Sequence, residues 1–236
     1  MRIAAAAYRF KNRDIEFNLS QIEKALSECR GKADLLCFGE SFLQGFDSLD
    51  WIYETDKNMA ITQDSKVMQR LCTLTVQYQT DLLFGYIERE NDKIYSSCAV
   101  IVQGKLIHNY RRISENWKEY SRTDHHYCEG NSTEEFVYQG RKVMIALCGD
   151  LWLYPERFRT EDLLIWPIYV NFDREEWKTY EQEYADQALQ ACIKTVMINS
   201  ITEDPASCGN AFYFLNGKIK DKLNYDTEDI LLVEME

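Results

Sequence analysis

The sequence is poor in chain breakers, with only three prolines and ten glycines in 236 residues. That excludes a Pro/Gly-rich linker or a collagen-like repeat. No internal repeat or low-complexity tract is visible either, so a single domain over residues 1–236 is expected. No apolar run approaches the ~20 residues of a membrane span. The opening MRIAAAAYRF is apolar for only a few residues before charge intervenes. No signal peptide is therefore expected, and the chain reads as cytoplasmic. Positive charge is scarce: 27 Lys and Arg stand against 39 Asp and Glu, a net charge of −12. A phosphate backbone and an anionic membrane surface both select clustered Lys and Arg, so neither nucleic acid nor membrane is expected as a partner. The eight cysteines include no CxxC pair and no Cys/His array at zinc spacing. They read as free thiols of a reducing compartment, mostly small core residues.

What is present alternates between helical and strand periodicity. Arg2 to Ala7 is a short apolar run that suits a buried strand. Over 18–30, Leu19, Ile22, Leu26 and Cys29 fall on one helical face, and Gly31 is a natural stop. Residues 34–39 (DLLCFG) then read as a buried strand, which makes the first pairing parallel with a helical crossover. Residues 65–78 have helical spacing. Strands are expected at 81–87, 96–102 and 105–111, with a turn at Gln103-Gly104. Residues 114–135 are polar and irregular, and so long a loop is usually functional. Strands follow at 141–147, 163–165 and 195–200, with a helix over 173–192 carrying Trp177, Tyr180, Tyr184, Ala188 and Ala191 on one face. The end of the chain reads as antiparallel strands at 210–215 and 230–233. The class is α/β, layers of sheet covered by helices.

Two reactive side chains sit where buried strands end, the usual place for ligands in α/β sheets. Glu40 follows DLLCFG, and Cys148 follows RKVMIAL. A carboxylate beside a thiol can serve as its base, and the sulfur then attacks a carbonyl or nitrile carbon. An activated thiol of this kind is expected to titrate below the ordinary value of ~8.5. Either residue alone would more often be structural, a buried thiol or a solvated strand-end carboxylate. The pair, with its flanking residues, carries the reading.

Those flanks resemble the nitrilase (carbon–nitrogen hydrolase) superfamily over nearly the whole chain. ADLLCFGESFLQGF looks like its first catalytic motif and IALCGDLWLYPE like its nucleophile elbow. The resemblance implies a four-layer α-β-β-α sandwich, Glu40 as general base, Cys148 as nucleophile, and no cofactor or metal. It also implies a homodimer, and hydrolysis of a small-molecule amide, carbamoyl or nitrile C–N bond through a thioester-type intermediate. The departure is at the family's lysine, where this chain has Tyr110-Arg111-Arg112 in place of Tyr-Arg-Lys. Arg112 at that position stays charged and does not readily shuttle a proton. Lys118, in the following loop, is the other candidate cation and the one preferred on sequence. For the family's second acid, Asp124 in DHHYCEG aligns best, with Glu119 as competitor. The altered lysine motif leaves a second reading open: a nitrilase-fold pseudoenzyme that binds a ligand or partner without turnover. Acyl transfer to an amine through the same nucleophile is a third. His125 and His126 invite a metal reading, but neighbours in sequence seldom both chelate one ion. Trp117, Tyr120 and Tyr127 suit a pocket wall or core packing equally.

Overall fold

The computed structural model describes residues 1–235. In chain order the elements are β1 Arg2–Ala7, α1 Ile15–Cys29, β2 Leu35–Cys37, α2 Tyr53–Asp56, α3 Lys66–Tyr78, β3 Asp81–Glu90, β4 Lys93–Val102 and β5 Lys105–Arg111. The second half contributes β6 Phe136–Tyr138, β7 Arg141–Ile145, α4 Asp150–Leu153, β8 Leu163–Ile168, α5 Arg174–Leu189, β9 Lys194–Glu203, β10 Ala206–Leu215, β11 Lys218–Lys222 and β12 Asp229–Glu234. They form two six-stranded sheets, ordered β12-β1-β2-β3-β4-β5 and β11-β10-β9-β8-β7-β6. Each sheet is mixed. β1, β2 and β3 run parallel in one and β7, β8 and β9 in the other, with antiparallel strands outside them.

The layering follows from strand pleat. Along β1, Ile3 and Ala5 join a core shared with the second sheet, while Ala4 and Ala6 face α1 and α3. Strands buried on both faces are apolar throughout rather than alternating. On the outer side of the second sheet, Trp177, Tyr184 and Ala188 of α5 close the core against Phe212. The result is helix, sheet, sheet, helix.

The expected elements are present, with shifted ends. α1 begins at Ile15 because Asp14 caps it, its side chain accepting from Phe17 N–H at 3.0 Å. α5 is started by a capping box between Asp173 and Glu176, but Tyr180 is exposed rather than on the buried face. The Gln103-Gly104 turn has positive φ at both residues, as a tight hairpin requires. β2 is half the expected length because the chain leaves the ladder after Cys37. β8 runs on through Trp166-Pro167, where proline argues against a strand. β6, α2 and α4 are additional to the expected elements. All eight cysteines are free thiols. No helix among the described residues is long and apolar enough to cross a membrane.

Candidate active site

Glu40 leaves its own sheet and is caught by the other. Its N–H donates to the Ile168 carbonyl of β8 at 3.2 Å, and the next residue, Ser41, has φ +50°. Two glycines make this crossing possible. A Cβ on Gly39 would stand 2.6 Å from Ser200 Oγ. One on Gly85 would stand 2.4–2.7 Å from the main chain of residues 39–41. The Glu40 side chain is fully buried. Its Oε1 accepts from Ser96 Oγ at 3.0 Å and from Arg112 Nη1 at 2.9 Å. Its Oε2 has no hydrogen-bond partner among the described residues.

Cys148 sits on a second elbow after β7. Its φ of +40° is costly for a residue with a side chain and must be held by its surroundings. Its N–H donates to the Pro167 carbonyl at 3.0 Å. Consecutive carbonyls of β8 therefore fix the main chains of Cys148 and Glu40. The Trp166 indole N–H donates to the Cys148 carbonyl at 2.9 Å. Asp150, fully buried, accepts from Leu147 N–H at 2.8 Å, Tyr110 hydroxyl at 2.6 Å, Ser114 N–H at 2.8 Å and Ile113 N–H at 3.2 Å. It staples the Cys148 elbow to the chain that carries Arg112. Burial raises the Asp150 carboxyl above its ordinary range, against the Arg112 charge and these donors.

Arg112 is 3% exposed. Besides Glu40, its Nε donates to Ser114 Oγ at 2.8 Å and its Nη2 to the Glu115 carbonyl at 2.9 Å. A Cβ on Gly149 would stand only 2.6 Å from Nη2, so the guanidinium lies directly against the residue after the nucleophile candidate. Burial opposes the guanidinium charge, but Glu40, Cys148 and Asp150 outweigh it and hold the proton more firmly than usual. The Cys148 thiol moves in the opposite direction to the sequence-based expectation. Burial first, and then the Glu40 carboxylate, push it up to about 12, with Arg112 pulling the other way. Burial of the thiol therefore disfavours a preformed thiolate at Cys148.

The structure brings Glu40, Cys148 and Arg112 together. It does not bring the three remaining candidates, Lys118, Asp124 and Glu119, into contact with them. Lys118 Nζ donates to the Tyr127 carbonyl at 2.6 Å and pairs with Glu129 at 2.9 Å. Its preference over Arg112 is therefore corrected: the cation against Glu40 is Arg112. Asp124 is exposed and holds His126 instead, through Nδ1 at 2.8 Å and the backbone N–H at 3.0 Å. Glu119 is exposed too, in a turn where its carbonyl accepts from Arg122 and Thr123. Both side chains are short-range loop residues, which the irregular 114–135 segment hid from pattern reading. Trp117 and Tyr127 pack in a small separate core with Leu49 and Ile94, while Tyr120 is exposed.

Sequence reading missed Ser96, Ser114, Gly85, Gly149 and the β8 carbonyls. No local pattern marks the serines. Gly85, a glycine inside a strand, was an available sign of close backbone approach.

The family model described as carbon-nitrogen hydrolase matches residues 2–236, and the chain belongs to that family. Over 143 residues it is 29% identical to a glutamine-dependent NAD(+) synthetase of Thermotoga maritima, a match covering 59% of this chain and 24% of that protein. It is 24% identical over 159 residues to an (R)-stereoselective amidase of Pseudomonas sp, covering 67% and 55% respectively. The chain thus spans only part of these relatives. Among solved structures, a CN-hydrolase superfamily protein of Xanthomonas campestris with an arsenic adduct in its active site superposes with TM-score 0.81 at 16% identity, covering 100% of this chain and 90% of that one. A Glu-to-Gln mutant of an amidase from Nesterenkonia sp. AN1, with acrylamide added at its active-site cysteine, gives TM-score 0.80 at 17% identity, covering 100% and 93%. At such identities these two establish the fold.

Proposed function

We propose that the protein hydrolyses a non-peptide C–N bond of a small amide, carbamoyl compound or nitrile, with Cys148 as nucleophile and Glu40 as general base. The observation that carries this is the asymmetry of Glu40: one oxygen is anchored by Arg112 and Ser96, and the other is buried without a partner among the described residues. For an amide, Glu40 takes the thiol proton as sulfur bonds to the carbonyl carbon. The developing oxyanion is held by the Gly149 N–H, which has no main-chain partner among the described residues, and by an N–H of Arg112. Of the five guanidinium N–H groups, the contacts above engage three. Glu40 then gives its proton to the nitrogen as the C–N bond breaks, leaving a thioester. Water attacks the thioester, Glu40 takes its proton, and the C–S bond breaks with that proton returned to sulfur. Arg112 acts by charge and position alone, since it does not give up its proton. No step calls for a cofactor.

The test is ammonia or amine release across an amide and nitrile panel, with intact mass of the acyl-enzyme. Turnover and an adduct that vanish in Cys148→Ala support the reading. One observation favours a second, the non-turning binding protein: the cation against Glu40 is an arginine, which does not readily shuttle a proton, and burial pushes the neighbouring thiol up. Ligands that raise the unfolding temperature without any adduct at Cys148 would establish it in place of the hydrolase.

A further inference from the structure

The β3–β4 hairpin and the irregular 114–135 segment are joined through main chain. Ile94 N–H donates to the His126 carbonyl at 2.7 Å, and Cys128 N–H to the Ile94 carbonyl at 2.9 Å. This brings Asp92, in the hairpin turn, beside the histidine pair. One ligand atom from each of Asp92, His125 and His126 lies within 4.8 Å of the others. His126 is also fixed in orientation. Its ring lies flat on Tyr53, with centroids 3.8 Å apart and planes at 6°. Its Nδ1 faces both oxygens of Asp124, at 2.8 and 3.0 Å. A carboxylate on Nδ1 leaves Nε2 as the nitrogen with a free lone pair, the arrangement that commonly orients a metal-binding histidine.

We propose that Asp92, His125 and His126 bind a divalent transition-metal ion of the zinc class, with Asp124 as the positioning residue behind His126. Two imidazoles and a carboxylate suit such an ion, and water completes the coordination. Bonds of ~2.0–2.1 Å require the ligand atoms to draw closer than 4.8 Å. Asp92 and His125 are exposed and have room to do so. Lys93 is the competing charge: its Nζ stands 3.6 Å from Asp92 and donates to the His125 carbonyl at 3.0 Å. The ion displaces it from the carboxylate. The third ligand comes from the β3–β4 turn, not from the segment that carries the two histidines. The site is separate from Glu40 and Cys148 and does not depend on the hydrolase reading.

The experiment is calorimetric titration of the full chain with Zn²⁺ alone, in a background carrying Cys128→Ser and Cys148→Ser to remove the competing thiols nearest the two sites. One equivalent should bind, and His125→Ala and Asp92→Asn should each weaken it at least tenfold. Asp124→Asn should weaken it by ~10–100-fold, as loss of such a support does elsewhere. These side chains are exposed, so the variants fold. No binding in the parent, or binding unchanged by Asp92→Asn and His125→Ala, overturns the proposal.

Discussion

Arg111 and Arg112 are neighbours at the end of β5, and each meets a fully buried glutamate, yet the two pairs are built differently. Arg111 reaches Glu88 with Nε and Nη2, each at 2.8 Å. Glu88 also accepts from Ser97 at 2.6 Å, Asn109 at 2.9 Å and Gln63 at 2.8 Å. Both of its oxygens are engaged. Arg112 reaches Glu40 with a single nitrogen, Ser96 supplies one more bond, and Oε2 receives none among the described residues. The serines are neighbours as well, so strand alternation sends one Ser–Arg set to each face of the sheet. A buried carboxylate with every lone pair answered serves the fold. One left half-answered is costly to the fold and available to chemistry.

The sharpest break of that comparison is the same substitution at each glutamate. On the proposed mechanism Glu40→Gln lowers turnover by ~10²–10⁴-fold, the usual worth of a positioned general base. Glu88→Gln leaves turnover per folded molecule unchanged and lowers stability by about 3 kcal/mol, the low end for a broken buried pair because Arg111 keeps Glu90 at 2.9 Å. Steady-state rates and denaturant unfolding on both variants measure it. A turnover loss at Glu88 equal to that at Glu40 would dissolve the distinction.

The pair at Glu88 also has a pH signature. Burial alone would raise its carboxyl, but hydrogen bonds from Arg111, Ser97 and Gln63, with the Arg111 charge, hold it below its ordinary range. A depressed folded-state pKa contributes stability that is fully present above the unfolded value of ~4.3 and is lost as pH falls through the folded one. The stability gap between wild type and Glu88→Gln should therefore narrow below about pH 4. An unchanged gap in acid would place the pair's energy in packing.

A smaller effect is expected from Gly149→Ala. The new methyl meets Arg112 Nη2 at 2.6 Å and Ser114 Oγ at 3.2 Å. Overpacking of this kind costs about 1–3 kcal/mol. Because it displaces Arg112 from the Cys148 elbow, turnover falls as well. Gly140→Ala is the control: its Cβ meets nothing within 4 Å, although its φ of +78° brings backbone strain. Stability lost at both but turnover lost only at Gly149 is the expected pattern.

Much of this was legible in advance. Strand, helix and parallel pairing are written in apolar periodicity, and both elbows follow from a reactive residue placed at the end of a buried run. The choice between Arg112 and Lys118 was not legible, because it depends on which cation the 114–135 loop folds away. Lys118 is drawn off by Glu129, whose carboxyl is raised by burial but lowered further by Tyr120 and Lys118. The role of β8 was hidden by Pro167, whose missing N–H argues against a strand. Its carbonyl is the atom that matters here, and proline keeps it.

The last prediction turns on the sign of the thiol's response to Glu40. The Cys148 thiol is pushed up to about 12 by burial and then by the Glu40 carboxylate. Alkylation by a small haloacetamide proceeds through the thiolate, so its rate at Cys148 should keep rising with pH beyond the ordinary ~8.5. Glu40→Gln removes one of the charges that raise the thiol and leaves Arg112, which lowers it. The thiolate fraction at a fixed pH therefore grows, by about tenfold for each unit of pKa regained. The variant should alkylate faster than wild type at neutral pH while hydrolysing substrate more slowly. Peptide-resolved labelling of Cys148, with Cys72 and Cys128, partly exposed like it, as internal references, reads the first half. If alkylation slowed together with turnover, Glu40 would already be drawing the proton from the resting thiol. The unpartnered oxygen would then be an acceptor in the free enzyme, not only during attack.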